Sequence, residues 1–289
     1  MARILVTGIG GPAGRSVAAL LRARGHCVLG VDARDLSPDG VEFSRVALAD
    51  DPRFLAGLAR VAAARGAELL IPTVTEELTV VAAEWDAVSP VPAMIGPAEA
   101  VRVANDKLLT CRQLSRAGVA VPRFCLPSEA GSAADVARLL GWPCLSKPRV
   151  GRGGRGVVVR YETDWPAMAL LDDGYILQEF LPGTDYGPNL FLPRSPGMEA
   201  TAVVLEKTQL KEGLVGNALE VRRVAASDVL ALAVAAARSL GFSGPLDVDI
   251  RNGRDGAPAV LEINARFGAN IAFAPEVLDA ALADWGYGA

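Results

Sequence analysis

Histidine is nearly absent from this 289-residue chain, with His26 its one example, and the four cysteines, Cys27, Cys111, Cys125 and Cys144, form no CxxC pair. That scarcity excludes a zinc site of the usual kind and points to a reducing compartment. No apolar run is long enough to span a bilayer, so no membrane partner is expected. Basic charge is not in excess either: the net charge is −4 and the pI about 5.2, which argues against nucleic acid as the main partner. The sequence carries no internal repeat and no disordered tract. Met1, Ala2 and Arg3 run directly into a strand, so no signal peptide is expected and the expected location is cytoplasmic. What is present is a globular composition, 51% hydrophobic and 21% charged, at a length that suits two or three lobes with shared cores.

Acidic and amide side chains gather near the end of the chain. Two strand-like runs, 246–251 and 259–264, flank a turn at 252–258 rich in glycine, Asn and Asp. Side chains alternate along a strand, so Asp247 and Asp249 share one face, with Val248 and Ile250 on the other. Glu262 and Asn264 likewise share a face, with Leu261 and Ile263 behind them. Folded about its middle without a bulge, the hairpin sets Asp249 opposite Glu262 and Asp247 opposite Asn264. Like charges directly across a ladder are destabilising by up to roughly 1 kcal/mol a pair, and a cation between them removes that penalty. Hard oxygen donors on one face, backed by apolar residues, suit magnesium. Arg266 follows on the same parity, where it can hold an anion beside the metal. An exposed acidic hairpin is the other reading of the same residues.

The first hundred residues alternate strand and helix signals. Residues 3–7 form a short β run, the turn Gly8 to Gly14 follows, 16–24 carry helical spacing, and 27–31 are a second buried strand closing on Asp32. Helices are expected at 55–65 and 76–85, with a third strand at 68–72 between them. Such a βαβ series predicts a parallel sheet covered by helices. Gly8, Gly11 and Gly14 could wrap a dinucleotide pyrophosphate, with Asp32 on a ribose, or serve only the tight turn. After Pro97 the pattern changes to a helix over 98–117 that contains Lys107, a helix at 132–140, and a strand at 142–147 ending on Lys147. The loop 148–156, with four glycines and three arginines, leads into a strand at 157–161. Its backbone N–H and guanidinium groups can close over phosphates. Strands at 176–181 and 203–209 and an amphipathic helix at 227–240 complete the chain up to the acidic hairpin.

Lys107, Lys147, the glycine loop 151–156, Gln178 to Gly183, and Asp249 with Glu262, Asn264 and Arg266 occur in an order and at spacings that resemble the ATP-grasp superfamily. The likeness is nearest to carbamoyl-phosphate-synthase-like and amino-acid-ligase-like members, and it covers nearly the whole chain. The resemblance implies a mixed α/β and α+β architecture. Residues 1–98 would form a Rossmann-like pre-ATP-grasp domain, 99–181 an ATP-grasp lobe with a glycine-rich lid, and 182–289 a second lobe with the metal site.

It also implies roles by position. Lys107 and Lys147 would contact phosphates, Gly151, Gly153, Gly154 and Gly156 would cover the γ-phosphate, and Gln178 with the backbone of Glu179 and Leu181 would read the adenine edge. Asp185 would accept from the ribose hydroxyls, unless it is an ordinary turn aspartate. Asp249, Glu262 and Asn264 would hold two Mg²⁺ ions, and Arg266, with Lys147, would steady the transferring phosphoryl group. The implied reaction activates a substrate carboxylate with ATP as an acyl phosphate for attack by an amine.

Departures from the family pattern are visible. There is a single ATP-grasp unit with no ammonia-producing lobe, little sequence follows the metal strand, and Arg152 and Arg155 stand in the loop where smaller residues are frequent. The acceptor pocket is expected from residues 72–77, 208–216, Arg222 and Arg223. A catalytically inactive ATP-binding regulatory protein and an NAD(P)-dependent oxidoreductase built on Gly8 to Gly14 stand as alternatives, and a homodimer is left open.

Overall fold

A computed structural model describes every residue except 152, 196–197, 212, 214–215, 217 and 289. The first sheet is parallel, in the order β3-β2-β1-β4: β1 Arg3–Val6, β2 Cys27–Asp32, β3 Glu42–Arg45 and β4 Leu69–Ile71. Helices α1 (Pro12–Ala23), α2 (Phe54–Ala64) and α3 (Thr75–Val88) connect or follow these strands. Strand β3 has no counterpart among the sequence expectations, because Glu42 and Arg45 at its ends break any apolar run. Short strands of continuous burial, such as Leu69–Ile71, are covered on both faces, as parallel sheets require.

The glycine turn after β1 is held by its own surroundings. A Cβ at residue 14 would come 2.2 Å from the Gly8 carbonyl oxygen, so helix α1 can approach the turn only with glycine there. Asp32 accepts from the Gly10 N–H at 3.0 Å and from the Arg34 Nε at 3.1 Å. Its carboxylate is therefore spent on fixing the loop and a neighbouring arginine.

The expected single helix over 98–117 is two helices, α4 (Ala98–Asn105) and α5 (Lys107–Arg116). Asp106 causes the break: its backbone is extended and its carboxylate accepts from the N–H groups of Leu108 and Leu109, capping α5. Burial would raise the Asp106 pKa, but Arg149, 2.6 Å away, and the capped N–H groups of Leu109 and Leu108 together outweigh it and hold it low. Lys107 is thereby the first residue of a helix and not an interior one.

A second, antiparallel sheet in the order β5-β8-β6-β7 comprises β5 (Phe124–Cys125), β6 (Cys144–Pro148), β7 (Val158–Arg160) and β8 (Tyr175–Glu179), with helices α6 (Ala133–Leu139) and α7 (Trp165–Met168) packed on it. The third sheet contains β9 (Asp185–Tyr186), β10 (Asn189–Leu192), β11 (Thr201–Val203), β12 (Leu205–Leu210), β13 (Ala218–Arg223), β14 (Gly244–Asn252) and β15 (Pro258–Asn264). What the sequence presents as one strand over 203–209 is interrupted at Val204, so β11 pairs β10 while β12 turns to β9 and β13. The apolar face of β14 and β15 packs under α4 and α8 (Ser227–Ser239), through Val248, Ile250, Val260 and Ile263.

The hairpin β14–β15 has the predicted pairs Asp249↔Glu262 and Asp247↔Asn264. It is not free of a bulge: Ile250 pairs with Val260, which leaves Leu261 as an extra residue on β15. The extra residue reverses the alternation beyond Glu262. Val260 turns into the core, and Leu261, expected behind the strand, faces the cavity described below.

The segment after β15 does more than its brevity suggests. Helix α9 (Pro275–Asp284) crosses back to the first sheet, where Val277, Leu278, Ala281 and Leu282 share a core with Ile4, Val6, Val17 and Leu21. Arg24, capping the end of α1, pairs with Asp279, and the Ser16 hydroxyl donates to the Ala269 carbonyl at 3.2 Å.

Candidate active site

A cavity of about 140 Å³ lies between the second and third sheets. It is lined by Lys107, Lys147, Gly151, Gly153, Gly154, Asp185, Asp249, Glu262, Asn264 and Arg266, ten of the residues singled out in the sequence. Gly156, Gln178, Glu179 and Leu181 are not among its lining residues. Arg155 is, while Arg152 lies outside the described residues.

Strand alternation delivers Lys147. On β6, Leu145 and Lys147 face the cavity, while Cys144 and Ser146 face away. The Lys147 ammonium is almost fully buried and donates to the Gln178 Oε1 at 2.6 Å. Burial pulls its pKa down to about 8, with Lys107 adding repulsion and Glu262 opposing the shift. Gln178, expected at the adenine edge, instead has its side chain inside, with its amide turned to Lys147 and the Cys111 sulfur. The Glu179 side chain is taken up by Arg123 at 3.0 Å, and its backbone pairs with Cys144 in the sheet.

The acidic face of β14 and β15 is matched, charge for charge, by cations from other elements. Lys107 reaches Glu262 at 3.0 Å and also donates to the Gly151 carbonyl at 3.1 Å. Lys207, on β12, bonds Asp249, and its ammonium lies 3.1 Å from Asp185 Oδ1, near enough for charge attraction though not aligned as a hydrogen bond. Arg266 holds Asp247 at 3.0 Å and the Asn264 Oδ1 at 3.1 Å. Burial alone would lower the Lys207 pKa, but Asp249 and Asp185 outweigh it and hold it raised. Asp249 is correspondingly held low by Lys207 against its own burial, whereas burial pushes Asp247 up.

Asp185, expected on a ribose, therefore has two cationic partners: Lys207 and Arg251, the latter at 2.5 Å. Lys207 and Arg251 were missed by sequence reasoning. Arg251 follows Asp247 and Asp249 at the same strand parity, so its place on the cavity face was readable. Lys207 carried no such signal, because its meaning depends on strands distant in sequence.

The cavity also has apolar walls. Leu145, Val157, Leu205, Val221 and the bulged Leu261 line it. Loop contact is close on one side: a Cβ at Gly154 would come 2.8 Å from the Gly216 Cα, and Gly154 has φ +73°, a conformation that favours glycine. Of the loop 208–216, residues 212 and 214–215 lie outside the described residues. Arg222 and Arg223, expected near an acceptor, pair with Glu206 and Glu276. Thr75, from the first lobe, faces a small recess shared with Lys107, Gly151 and Glu262.

Asp249, Glu262 and the Asn264 amide oxygen are a hard donor set of the kind magnesium prefers. Lys207 already places positive charge on Asp249, which shows that this spot accepts a cation. Among the described residues no group of three or more His, Cys, Asp or Glu gathers as a ready-made metal site. Ligands beyond this set would come from phosphate and water, as magnesium commonly takes them. No helix among the described residues is long and apolar enough to cross a membrane.

A sequence model of the ATP-grasp domain matches residues 104–270, more than half the chain. No curated protein matches it. Among solved structures, an L-amino acid ligase from Bacillus licheniformis is 17% identical with a TM-score of 0.68, over 96% of this chain and 70% of its own. An N5-carboxyaminoimidazole synthetase from Staphylococcus aureus is 17% identical with a TM-score of 0.69, over 92% of this chain and 71% of its own. A biotin carboxylase from Campylobacter jejuni, solved as a β-γ-ATP complex, is 16% identical with a TM-score of 0.71, over 100% of this chain and 72% of its own. At such identities the likeness is one of fold.

Proposed function

The chain belongs to the ATP-grasp family, and from that premise we propose that it is an ATP-dependent carboxylate–amine ligase acting on small-molecule or amino-acid substrates. The observation that carries the reading is the meeting, in one cavity, of Lys107, Lys147 and Arg266 with Asp249 and Glu262, beside apolar Leu145, Leu205 and Leu261. A nucleotide needs both kinds of wall, apolar for the base and cationic for the phosphates.

In this proposal the units are 1–98 as a pre-ATP-grasp domain, 99–181 as the lobe carrying Lys147 and the glycine loop, and 182–289 as the lobe carrying the acidic hairpin. Lys147, held by Gln178, meets the phosphates from one side, and Lys107 meets them from the start of α5. The glycine loop at 151–156 closes over the γ-phosphate and keeps water from an acyl phosphate. Arg266 lies beside the reacting phosphoryl group, where its guanidinium spreads positive charge over developing anionic oxygens. Asp249, Glu262 and Asn264 would hold magnesium, which supplies charge neutralisation between the phosphates and the substrate carboxylate. The carboxylate oxygen attacks the γ-phosphorus with ADP leaving. The amine then attacks the acyl carbon, and phosphate leaves. A cytoplasmic setting is part of the proposal, supported by four free cysteines, three of them buried.

The test is a coupled assay with ATP, Mg²⁺ and pools of amino acids and other carboxylates and amines, following ADP and phosphate together. Release of both, dependent on a carboxylate and an amine, is the expected result. Absence of ATP binding by calorimetry would overturn the reading.

A further inference from the structure

We propose that Lys207 is a built-in substitute for the divalent cation, holding Asp249 in place until metal and nucleotide arrive together as one unit. The inference rests on the nucleotide reading above and adds to it the order and coupling of binding.

The argument begins with charge. Each of the three carboxylates on the hairpin face has its own cation, and each cation comes from a different element: Lys107 at the start of α5, Lys207 on β12, and Arg266 after β15. The face is therefore electrically complete without a metal. Lys207 is the one of these cations set between two acids, Asp249 and Asp185, with its side chain 12% exposed. Its stem lies over the bare backbone of Gly187, where a Cβ would come 3.2 Å from the Lys207 Cε.

A divalent ion placed on Asp249 would share that carboxylate with the ammonium, and two cations so close repel strongly in a partly buried site. Lys207 must then give up Asp249. Asp185 remains as one partner, and the phosphates of a nucleotide offer a second. Metal alone has to displace a lysine with nowhere better to go. Nucleotide alone meets two of the cavity lysines, Lys107 and Lys207, already committed to carboxylates. Arriving together, the two exchange partners: the metal takes the carboxylates and the freed ammonium groups take the phosphates. Binding of each therefore strengthens binding of the other by the same factor.

Mn²⁺ as the metal probe and a β,γ-methylene ATP analogue as the nucleotide probe make this measurable. In the parent protein Mn²⁺ alone should bind weakly, and saturating analogue should tighten it by at least ~30-fold, within the usual range of coupling between ligands. Lys207→Met should tighten Mn²⁺ alone by about tenfold or more and reduce the coupling to a few-fold at most. Lys207→Arg keeps the charge and should keep Mn²⁺ weak. Arg102→Met, which removes an exposed cation of α4 that pairs with Glu99 and not with the hairpin, should leave Mn²⁺ affinity unchanged, separating substitution at Asp249 from a general change of charge. Adding Asp249→Asn to Lys207→Met should abolish the gain.

If Lys207→Met does not fold, Lys207→Met/Asp185→Asn removes a cation and an acid together and carries the same expectation. Mn²⁺ affinity that is unchanged or weaker in the folded Lys207 variants overturns the proposal. Failure of the parent to bind the ATP analogue would overturn the nucleotide reading instead, while the metal-only comparison would still decide the role of Lys207.

Discussion

Glu262→Gln tests the charge arrangement most directly. Read from strand pairing alone, Glu262 and Asp249 are like charges across a ladder, and removing one should relieve repulsion of up to roughly 1 kcal/mol. The structure reverses the expected sign. Glu262 is bonded to Lys107 at 3.0 Å, and that lysine side chain is only 9% exposed, so neutralising Glu262 leaves a nearly buried ammonium without its counter-charge. Removing one member of a buried pair costs about 3–5 kcal/mol. Here the introduced amide would keep an acceptor oxygen, and the Gly151 carbonyl stays at 3.1 Å, so a loss of about 1–2 kcal/mol is expected. For a chain of this size that lowers Tm by ~2–6 °C.

With ligand the effect should grow. Glu262 is a proposed magnesium donor, so turnover should fall by at least ~100-fold, the scale of losing a major electrostatic stabiliser. The rise in Tm given by Mg·ATP should shrink with the lost affinity. Thermal melts of parent and variant, with and without Mg·ATP, are the assay. A variant that melts at or above the parent without ligand and gains as much from Mg·ATP would refute both the Lys107 pairing and the metal role.

Other expectations follow from single contacts. Burial holds Lys147 at about 8 against its ordinary 10.5, so between those values the folded protein carries fewer protons than the unfolded chain, and this group makes stability rise with pH there. The phosphate-binding charge is lost over the same range, so ATP affinity by calorimetry should fall as pH rises through about 8. It should stay low and flat in Lys147→Met, and a parent profile unchanged from neutral to alkaline pH would exclude Lys147 as a phosphate ligand. Asp106→Ala removes the cap of α5 and the partner of Arg149, and should cost about 1–3 kcal/mol in denaturant unfolding while also weakening ATP binding through Lys107. Gly154→Ala introduces both strain and a clash with the Gly216 backbone, and should lower Tm as well as kcat; an unaltered kcat would remove the loop from the reaction. NADH and NADPH should show no saturable fluorescence change on titration, since Asp32 is occupied by Gly10 and Arg34.

The sequence made the hairpin face legible because strand parity is arithmetic: Asp247, Asp249, Glu262 and Asn264 had to share a side once the run was a strand. It could not show the bulge, since Leu261, Glu262 and Ile263 alternate as an unbroken strand would, and only pairing with β14 displaces Leu261. The break at Asp106 was written in the chain, an aspartate capping signal ahead of Lys107, but the helical spacing on either side masked it. Lys207 and Asp249 are joined by tertiary structure alone, as are Asp185 and Arg251. Ion pairs between distant strands leave no local period to read.

Helix α9 fills one side of the first sheet, where Leu278 and Leu282 share a core with Ile4, Val6 and Leu21. The opening strands of the chain are thus finished by residues more than two hundred and fifty positions later. During synthesis that apolar side has α1 but lacks the cover α9 supplies, and contacts of such sequence separation form slowly because a very long loop must close first. A fragment that stops after the first lobe would expose this face to solvent and tend to associate through it. The first lobe is therefore not a removable module: its maturation waits on the far end of the chain.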